Sequence, residues 1–203
     1  MMVPPVRKFN TVLAAMAGIV IAAGASSGRA DTYNIDAVHS SVVFKIKHLN
    51  TSNFYGRFND VSGKIELDEK DLSKSSVEFT IKTDSVDTNN EKRDQHVKGP
   101  DFLNTKQFPT ITFKSTKVSK SGENKYAVDG EVEMHGEKKP LSVTVEQVGS
   151  GKDMKGSDIF GAEAKFTLKR SDFGMSGMQK ALGDDIEVIV SVEAGKAGAA
   201  EVK

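Results

Sequence analysis

Four histidines are the residues of this chain best suited to metal binding or to acid–base chemistry: His39, His48, His96 and His135. None of them stands in an HExxH motif or in an i, i+4 pair on a helix, the spacings that bring two histidines to one metal ion. The sequence therefore favours a surface or hydrogen-bonded structural role for each histidine, with metal ligation as the alternative. We expect neither a metal site nor a cofactor.

Other catalytic groupings are missing from the sequence as well. It contains no Gly-x-Ser-x-Gly motif, no P-loop and no dinucleotide-binding fingerprint. Acidic pairs such as Asp184 and Asp185 fall in stretches that we interpret as loops, whereas a general acid/base pair needs one desolvated member. The residues thus predict no enzyme. The alternative is an enzyme for an amphipathic substrate, with His96 or His48 as the acid or base.

A very polar segment, Asn89–His96, interrupts an otherwise β-like chain. Thr88 and Glu91 have the spacing of a capping box, which predicts a helix start, and Gly99 ends the helix. Arg93 in this segment has two interpretations. It either forms an ion pair with Asp94 or a strand carboxylate, or it joins His96 in contacting an anionic or polar head group.

Eight stretches that alternate apolar and polar residues must position these groups. In Ser41–Leu49, residues Val42, Phe44 and Ile46 fall on one face, which is the period of a half-buried strand. No helical pattern is long enough to cover the apolar face of such a sheet, so the sheet is expected to curl onto itself. The sequence therefore predicts an all-β, eight-stranded antiparallel barrel, which is either packed solid or holds one slim ligand.

The aromatic residues do not decide between these two interiors. The chain has 11 phenylalanines and no tryptophan, and most of the phenylalanines fall on predicted inward faces. Gly56 between two aromatic residues suggests a bend or a bulge at which the backbone must come close to another group. Polar segments predict hairpin turns at residues 121–124 and 135–138, a loop at Gly149–Ser157 and an irregular region at Asp172–Asp185.

The first thirty residues have the pattern of a secretory signal peptide that is cleaved near Ala30. Arg7 and Lys8 precede an apolar run that is short for a membrane span, and small residues flank Arg29; an uncleaved anchor is the alternative. Residues 31–194 then form one domain, and residues 195–203 are expected to be a disordered tail. Without cysteines, an exported barrel is compatible with a bacterial periplasm.

Charge and hydropathy limit the partners of the mature chain. The sequence has 28 basic and 28 acidic residues, and the predicted signal peptide removes three basic residues, which leaves a net charge of about −3. Mixed charges of this kind argue against nucleic acid, which requires a basic surface. No later apolar run could cross a bilayer, so we expect no stable membrane insertion. Because a barrel has exposed ends and edges, the sequence is compatible with a homodimer.

Five segments occur in an order that identifies a family: YNIDAVHSSVVFKIKHL, GRFNDVSGKI, VEFTIKTDSVDTNNEKRDQHVKGPDFLNTKQFPTITFKS, YAVDGEVEMHGEKKPL and LKRSDFGM. Together they resemble the YceI-like family of lipocalin-like, polyisoprenoid-binding proteins over Asp31–Ala194. The resemblance implies a lipocalin-like barrel with a helix packed beside it. It also implies an apolar interior tunnel for a prenyl chain, such as a polyprenyl phosphate or a quinone-type lipid, and periplasmic residence.

The expected function is therefore that of a periplasmic carrier of a long-chain isoprenoid lipid. A solid-core stress or interaction protein is a further alternative. The head group is expected to meet Arg93, His96 and Arg170. Strand alternation and the resemblance together predict ten residues that line the tunnel: Phe44, Ile46, Phe79, Ile81, Phe102, Phe113, Met134, Phe166, Phe173 and Met175.

Overall fold

The computed structural model describes Met1 and residues 30–198 of the chain. Residues 2–29, which contain nearly all of the predicted signal peptide, and residues 199–203 of the predicted tail lie outside the described residues. In the described part the chain forms one α-helix and ten strands: β1 (Asp31–His48), β2 (Ser52–Phe58), β3 (Val61–Leu67), β4 (Ser76–Lys82), β5 (Val86–Asp87), α1 (Glu91–Val97), β6 (Thr110–Gly122), β7 (Lys125–Met134), β8 (Glu137–Lys152), β9 (Asp158–Lys169) and β10 (Leu182–Lys196).

Eight of these strands close into an antiparallel barrel, as the alternating pattern predicts. The order around the ring is β1, β3, β4, β6, β7, β8, β9 and β10, and β10 pairs with β1 to complete it. Hairpin loops of two to five residues join β6 to β7, β7 to β8 and β8 to β9, and every pairing in the ring is antiparallel. Within the described residues, no helix is long and apolar enough to span a bilayer.

Strand β1 pairs with two different strands, β3 and β2, along one of its edges. Asp31–Asn34 pair with β3, whereas Val42–His48 pair with β2, and β10 lies along both halves. A register shift between Asp36 and Ser41 separates the halves, and the predicted strand Ser41–Leu49 corresponds to the second half. Because β2 and β3 pair with different halves of β1, they diverge from each other. The barrel wall beside β2 therefore has to be covered by another segment of the chain.

The chain from residue 83 to residue 108, which includes α1, supplies that cover. Its apolar residues Val86 and Leu103 are buried against Phe58, Val61 and Ile81 from the neighbouring strands. Burial of side chains of this size is worth about 1.5–3 kcal/mol each. This cluster therefore anchors a segment whose helix has no buried residue of its own.

The start of α1 differs from the capping box that the sequence predicts. The N-cap residue is Asn90, and its side-chain oxygen accepts a hydrogen bond of 3.0 Å from the backbone N–H of Arg93. Thr88 lies before the cap and is only 2% exposed. Asparagine has the short acceptor side chain that an N-cap requires, so it replaces threonine in this role.

Strands are also longer than alternation alone indicates. Gly149–Lys152, expected in a loop, belong to β8, and β10 already begins at Leu182 within the expected irregular region. β10 also continues through Gly195 and Lys196, two residues into the expected tail. Polar residues extend these strands because the paired backbone, and not the side chains, holds the ends of a hairpin ladder.

Candidate functional site

An elongated cavity of about 770 Å³ runs through the barrel. It reaches from His48, Phe54 and Val97 at the end that carries α1, here called the helix end, to Ile35 and Phe160 at the far end. β10 lines it from Leu182 to Val192, which corresponds to a length of roughly 25 Å for tilted strands. A cavity of this volume and length is slim and suits one extended chain. Its volume also lies within the usual range for ligand sites.

Nine of the ten predicted lining residues border this cavity. The inner faces of β1, β4, β6, β7 and β9, the segment after α1, and the turn before β10 provide them: Phe44, Ile46, Phe79, Ile81, Phe102, Phe113, Met134, Phe166 and Met175. The alternation of side chains across each strand explains why sequence periodicity finds them. Many further apolar residues on the same faces also contribute, among them Val128, Val143 and Val190.

Phe173 is the exception, because its ring packs in the protein core and not against the cavity. It is 1% exposed and belongs to the buried cluster with Met175. Its carbonyl accepts a hydrogen bond of 2.9 Å from Nδ1 of His135. The short 3₁₀ turn Arg170–Phe173 directs this residue, and a turn has no period from which its direction could be read.

Glycines opposite aromatic residues explain why the interior is hollow. A Cβ atom on Gly56 would lie 2.3 Å from Cζ of Phe44, which is its cross-strand partner. A Cβ atom on Gly63 would lie 3.2 Å from the ring of Phe79, which is likewise its cross-strand partner. The missing side chains let the rings lie close to the wall and leave the bore free. Gly56 therefore marks a close approach and no bulge, since the β1–β2 register is continuous.

A third glycine lies under a phenylalanine ring, here diagonally across the strand pair and not directly opposite. A Cβ atom on Gly130 of β7 would lie 2.6 Å from the ring of Phe113 on β6. Aromatic rings that cover glycines on neighbouring strands are a known way to stabilise a curved sheet. Three of the phenylalanines that line the cavity therefore lie over glycines on neighbouring strands.

At the helix end, Arg93 is held by its neighbours. Its Nε donates to Oγ1 of Thr88 at 2.9 Å and its Nη2 donates to the carbonyl of Thr88 at 2.5 Å. The guanidinium also lies 4.3 Å from the centroid of the Phe54 ring, a cation–π distance. The hydroxyl of Thr88 donates in turn to Oδ1 of Asp94. Thr88 therefore bridges Arg93 and Asp94 through hydrogen bonds. No direct ion pair joins these two residues in the described part of the chain.

His96, Lys92 and His48 complete the rim at this end of the cavity. Nε2 of His96 lies 3.4 Å from Oδ2 of Asp101, and its ring packs edge-on against Phe102 at 5.0 Å. Lys92 and His48 are exposed. No hydroxyl among residues 30–198 is hydrogen-bonded to the ring of His48 or His96. The rim thus has polar and basic groups but no assembled nucleophile and base.

Arg170 has a different environment from the other predicted head-group residues. It borders the cavity but is 3% exposed. Its guanidinium donates to the carbonyls of Gly177 at 2.6 Å, Gly183 at 2.9 Å and Met175 at 3.0 Å, with Leu182 at 3.4 Å. These bonds tie the turn before β10 to the end of β9. We therefore assign Arg170 a structural role at the cavity rim.

One histidine belongs to a cluster that the sequence does not indicate. His39 Nδ1 lies 2.8 Å from Oδ2 of Asp36 and 3.7 Å from Oε1 of Glu193 on the outside of the barrel. The hydrogen bond with Asp36 raises the pKa of His39 above its usual value, and the same bond lowers the pKa of Asp36. These three groups are the one set of potential metal ligands in the described part of the chain. None of the three lines the cavity.

Comparison with known protein families identifies the architecture. The model of the YceI-like domain matches residues 33–194 of this chain. The chain belongs to the YceI-like family. Among its relatives is a UPF0312 protein of Serratia proteamaculans, 40% identical over 186 residues that cover 91% of this chain and 96% of the relative. A UPF0312 protein of Pseudomonas aeruginosa is 39% identical over 171 residues, which cover 83% and 89% of the two chains.

Solved structures show the same YceI-like fold. The YceI protein of Campylobacter jejuni is 33% identical with a TM-score of 0.67, and the match covers 74% of this chain and 90% of that one. BcnA of Burkholderia cenocepacia has a TM-score of 0.71 at 22% identity, covering 78% and 98%. A polyisoprenoid-binding domain of Saccharophagus degradans has a TM-score of 0.64 at 13% identity, covering 81% and 98%. The last two matches show the fold alone.

Sequence reasoning missed two features of this YceI-like cavity. Lys92 lies at the rim, but a helix that is polar on all sides gives no indication of which residue turns towards a cavity. Phe54 forms the platform beneath Arg93, a contact that joins β2 to α1 across the covering segment. In contrast, the inward position of His48 follows directly from the alternation along β1.

Proposed function

We propose that the protein binds a single long apolar lipid of the isoprenoid type in the barrel cavity and carries it through an aqueous compartment. The observation that carries this proposal is the slim cavity of about 770 Å³, whose lining surface is mostly apolar. A solid-core protein, the alternative from the sequence, would have no such interior. The name of the S. degradans neighbour, a polyisoprenoid-binding domain, agrees in ligand class.

The energetics of transfer support a carrier. Each buried methylene is worth about 0.8 kcal/mol relative to water, so a long tail does not cross water unaided. Transfer of the same tail from a bilayer into an apolar cavity is close to neutral, because both surroundings are dry. A barrel of this kind can take up a lipid and release it. Binding without chemical conversion agrees with the rim, where no nucleophile is paired with a histidine in residues 30–198.

The compartment that we propose is the bacterial periplasm. The support is the sequence of residues 1–30, whose basic start, apolar run and small residues before Asp31 are typical of an exported precursor. Fractionation of the native host, followed by N-terminal sequencing of the periplasmic protein, is expected to give Asp31 as the first residue. Recovery of the chain in the cytoplasm with its N-terminus uncut would contradict this part of the proposal.

Two adjacent positions on β8 offer a matched test of lipid binding. Val143 lines the cavity, whereas Thr144 is exposed on the outer face. Protein stripped of lipid by organic extraction is titrated with geranylgeraniol, and complexes are detected by native mass spectrometry. We expect binding by the wild type and by Thr144→Trp. Val143→Trp is expected to bind at least tenfold more weakly, because the indole occupies the bore.

The fold of each variant is checked by circular dichroism, so that lost binding is not confused with lost structure. If Val143→Trp does not fold, Val143→Phe provides a smaller obstruction for the same comparison. Absence of any complex with the folded wild type would refute the proposal. Equal affinities of the folded Val143 and Thr144 variants would show that the lipid binds outside the cavity.

A further inference from the structure

The charges around the cavity are distributed unequally between its two ends. At the helix end, the bordering residues Lys92 and Arg93 are cationic, and His48 and His96 are titratable. The two acidic residues that border the cavity lie on other strands, Glu66 at the far end of β3 and Glu163 on β9. The helix end is therefore the basic end of the cavity.

The cavity-bordering acids are already engaged by lysines. Lys64 Nζ lies 2.8 Å from Oε1 of Glu66, and Lys165 Nζ lies 2.8 Å from Oε1 of Glu163. The hydroxyl of Thr32, near the start of β1, also donates to Oε2 of Glu66 at 2.8 Å. Neither carboxylate is thus directed at the basic groups of the helix end.

Three cationic side chains of the described residues border the cavity, and two of them, Arg93 and Arg170, are already held by hydrogen bonds to other groups of the protein. Arg93 is bound to Thr88 and packs on Phe54, and His96 has Asp101 as its partner. Lys98 nearby reaches Asp84 at 3.4 Å. Lys92 borders the cavity but forms no ion pair with any residue in the range 30–198, although Glu91 precedes it on the helix.

We propose that the lipid carried by this protein has an acidic head group, a carboxylate or a phosphate, which lies at the helix end with Lys92 as its principal partner. This inference rests on the proposed lipid-binding function and specifies the ligand class. A flexible ammonium group beside an apolar bore provides the charge-assisted hydrogen bond that an acidic head group requires while its tail is buried. Arg93 contributes its fixed positive charge from its position on Phe54. A neutral quinone or alcohol would leave the charge of Lys92 unused.

The test compares three ligands with the same tail and different heads. Geranylgeraniol is neutral, geranylgeranoic acid carries a carboxylate and geranylgeranyl phosphate carries a phosphate. We expect each acid to bind the wild type about tenfold more tightly than the alcohol, the scale of one charge-assisted hydrogen bond. The advantage should fall as salt is added, because the rim is exposed to solvent. Whichever of the two acids binds more tightly indicates whether the head group is a carboxylate or a phosphate.

Variants assign the effect to Lys92. Lys92→Gln is expected to reduce the preference for acids over the alcohol to less than threefold, whereas Lys92→Arg should retain the preference. Lys155→Gln is the matched control, because Lys155 is an exposed lysine in the β8–β9 loop, away from the helix end. Circular dichroism checks that each variant is folded.

The outcomes separate this inference from the proposed function. Equal affinities of the wild type for the alcohol and both acids would overturn the acidic head group and leave lipid binding intact. An acid preference that survives Lys92→Gln would overturn the role of Lys92. Failure of all three ligands to bind the folded wild type would refute lipid binding itself.

Discussion

Replacement of Gly56 by alanine is expected to push the Phe44 ring away from the barrel wall and into the cavity. The new Cβ atom would lie 2.3 Å from Cζ of Phe44 and 2.8 and 2.9 Å from the two adjacent ring carbons. Ordinary contacts begin at 3.4 Å, so the ring has to move by about 1.1 Å. The φ angle of Gly56 is not in the positive range, so alanine fits its backbone. The expected effect is therefore steric.

The magnitude follows from two opposing contributions. Overpacking of a well-packed site costs about 1–3 kcal/mol, whereas a glycine-to-alanine change gains about 0.4–1 kcal/mol from the unfolded chain. We expect a net loss of about 1–2 kcal/mol in the free energy of unfolding. Each methylene of a bound tail that the ring displaces lowers affinity roughly fourfold.

Urea denaturation and geranylgeraniol titration measure the two effects on the same protein. Gly149→Ala is the control, because Gly149 lies in β8 and no atom comes within 4 Å of the position of its Cβ. The double variant Gly56→Ala, Phe44→Leu should recover part of both losses, since the shorter side chain leaves room for the new methyl group. Unchanged stability and unchanged affinity in Gly56→Ala would refute the argument that this glycine keeps the bore open.

Two further predictions concern groups outside the bore. Arg170→Met is expected to lower the free energy of unfolding by at least about 3 kcal/mol, because it removes the donor to the buried carbonyl of Met175 and to three more carbonyls. Urea denaturation measures this loss, and Arg170→Lys should recover little of it, since an ammonium cannot reproduce the guanidinium fork; full recovery would contradict the role of the fork. Asp36→Asn is expected to lower the pKa of His39, as followed by NMR titration of its imidazole protons. Because the pKa of His39 is raised in the folded state, the stabilisation by its pairing is complete below about pH 6.5 and is lost as the pH rises through the folded value. An unchanged His39 titration in the Asp36 variant would exclude Asp36 as the cause.

The sequence alone determined the barrel and the inner faces of its strands. Side chains alternate across a strand with a period of two, so Phe44, Ile46, Phe79 and Ile81 could be assigned to one face without coordinates. The antiparallel direction of the hairpins and the absence of covering helices then favoured closure of the sheet into a barrel. The predicted Thr88–Glu91 capping box was wrong, because Asn90, two residues after Thr88, offers an equally suitable acceptor side chain and caps the helix.

Only the tertiary structure decided that the barrel is hollow. That outcome depends on cross-strand register, which places Gly56 opposite Phe44 and Gly63 opposite Phe79. The 3₁₀ turn Arg170–Phe173 and the segment that follows it decided that Arg170 meets backbone carbonyls and that Phe173 lies in the core. Periodicity describes one strand at a time, whereas the width of a bore depends on which residues on separate strands face each other.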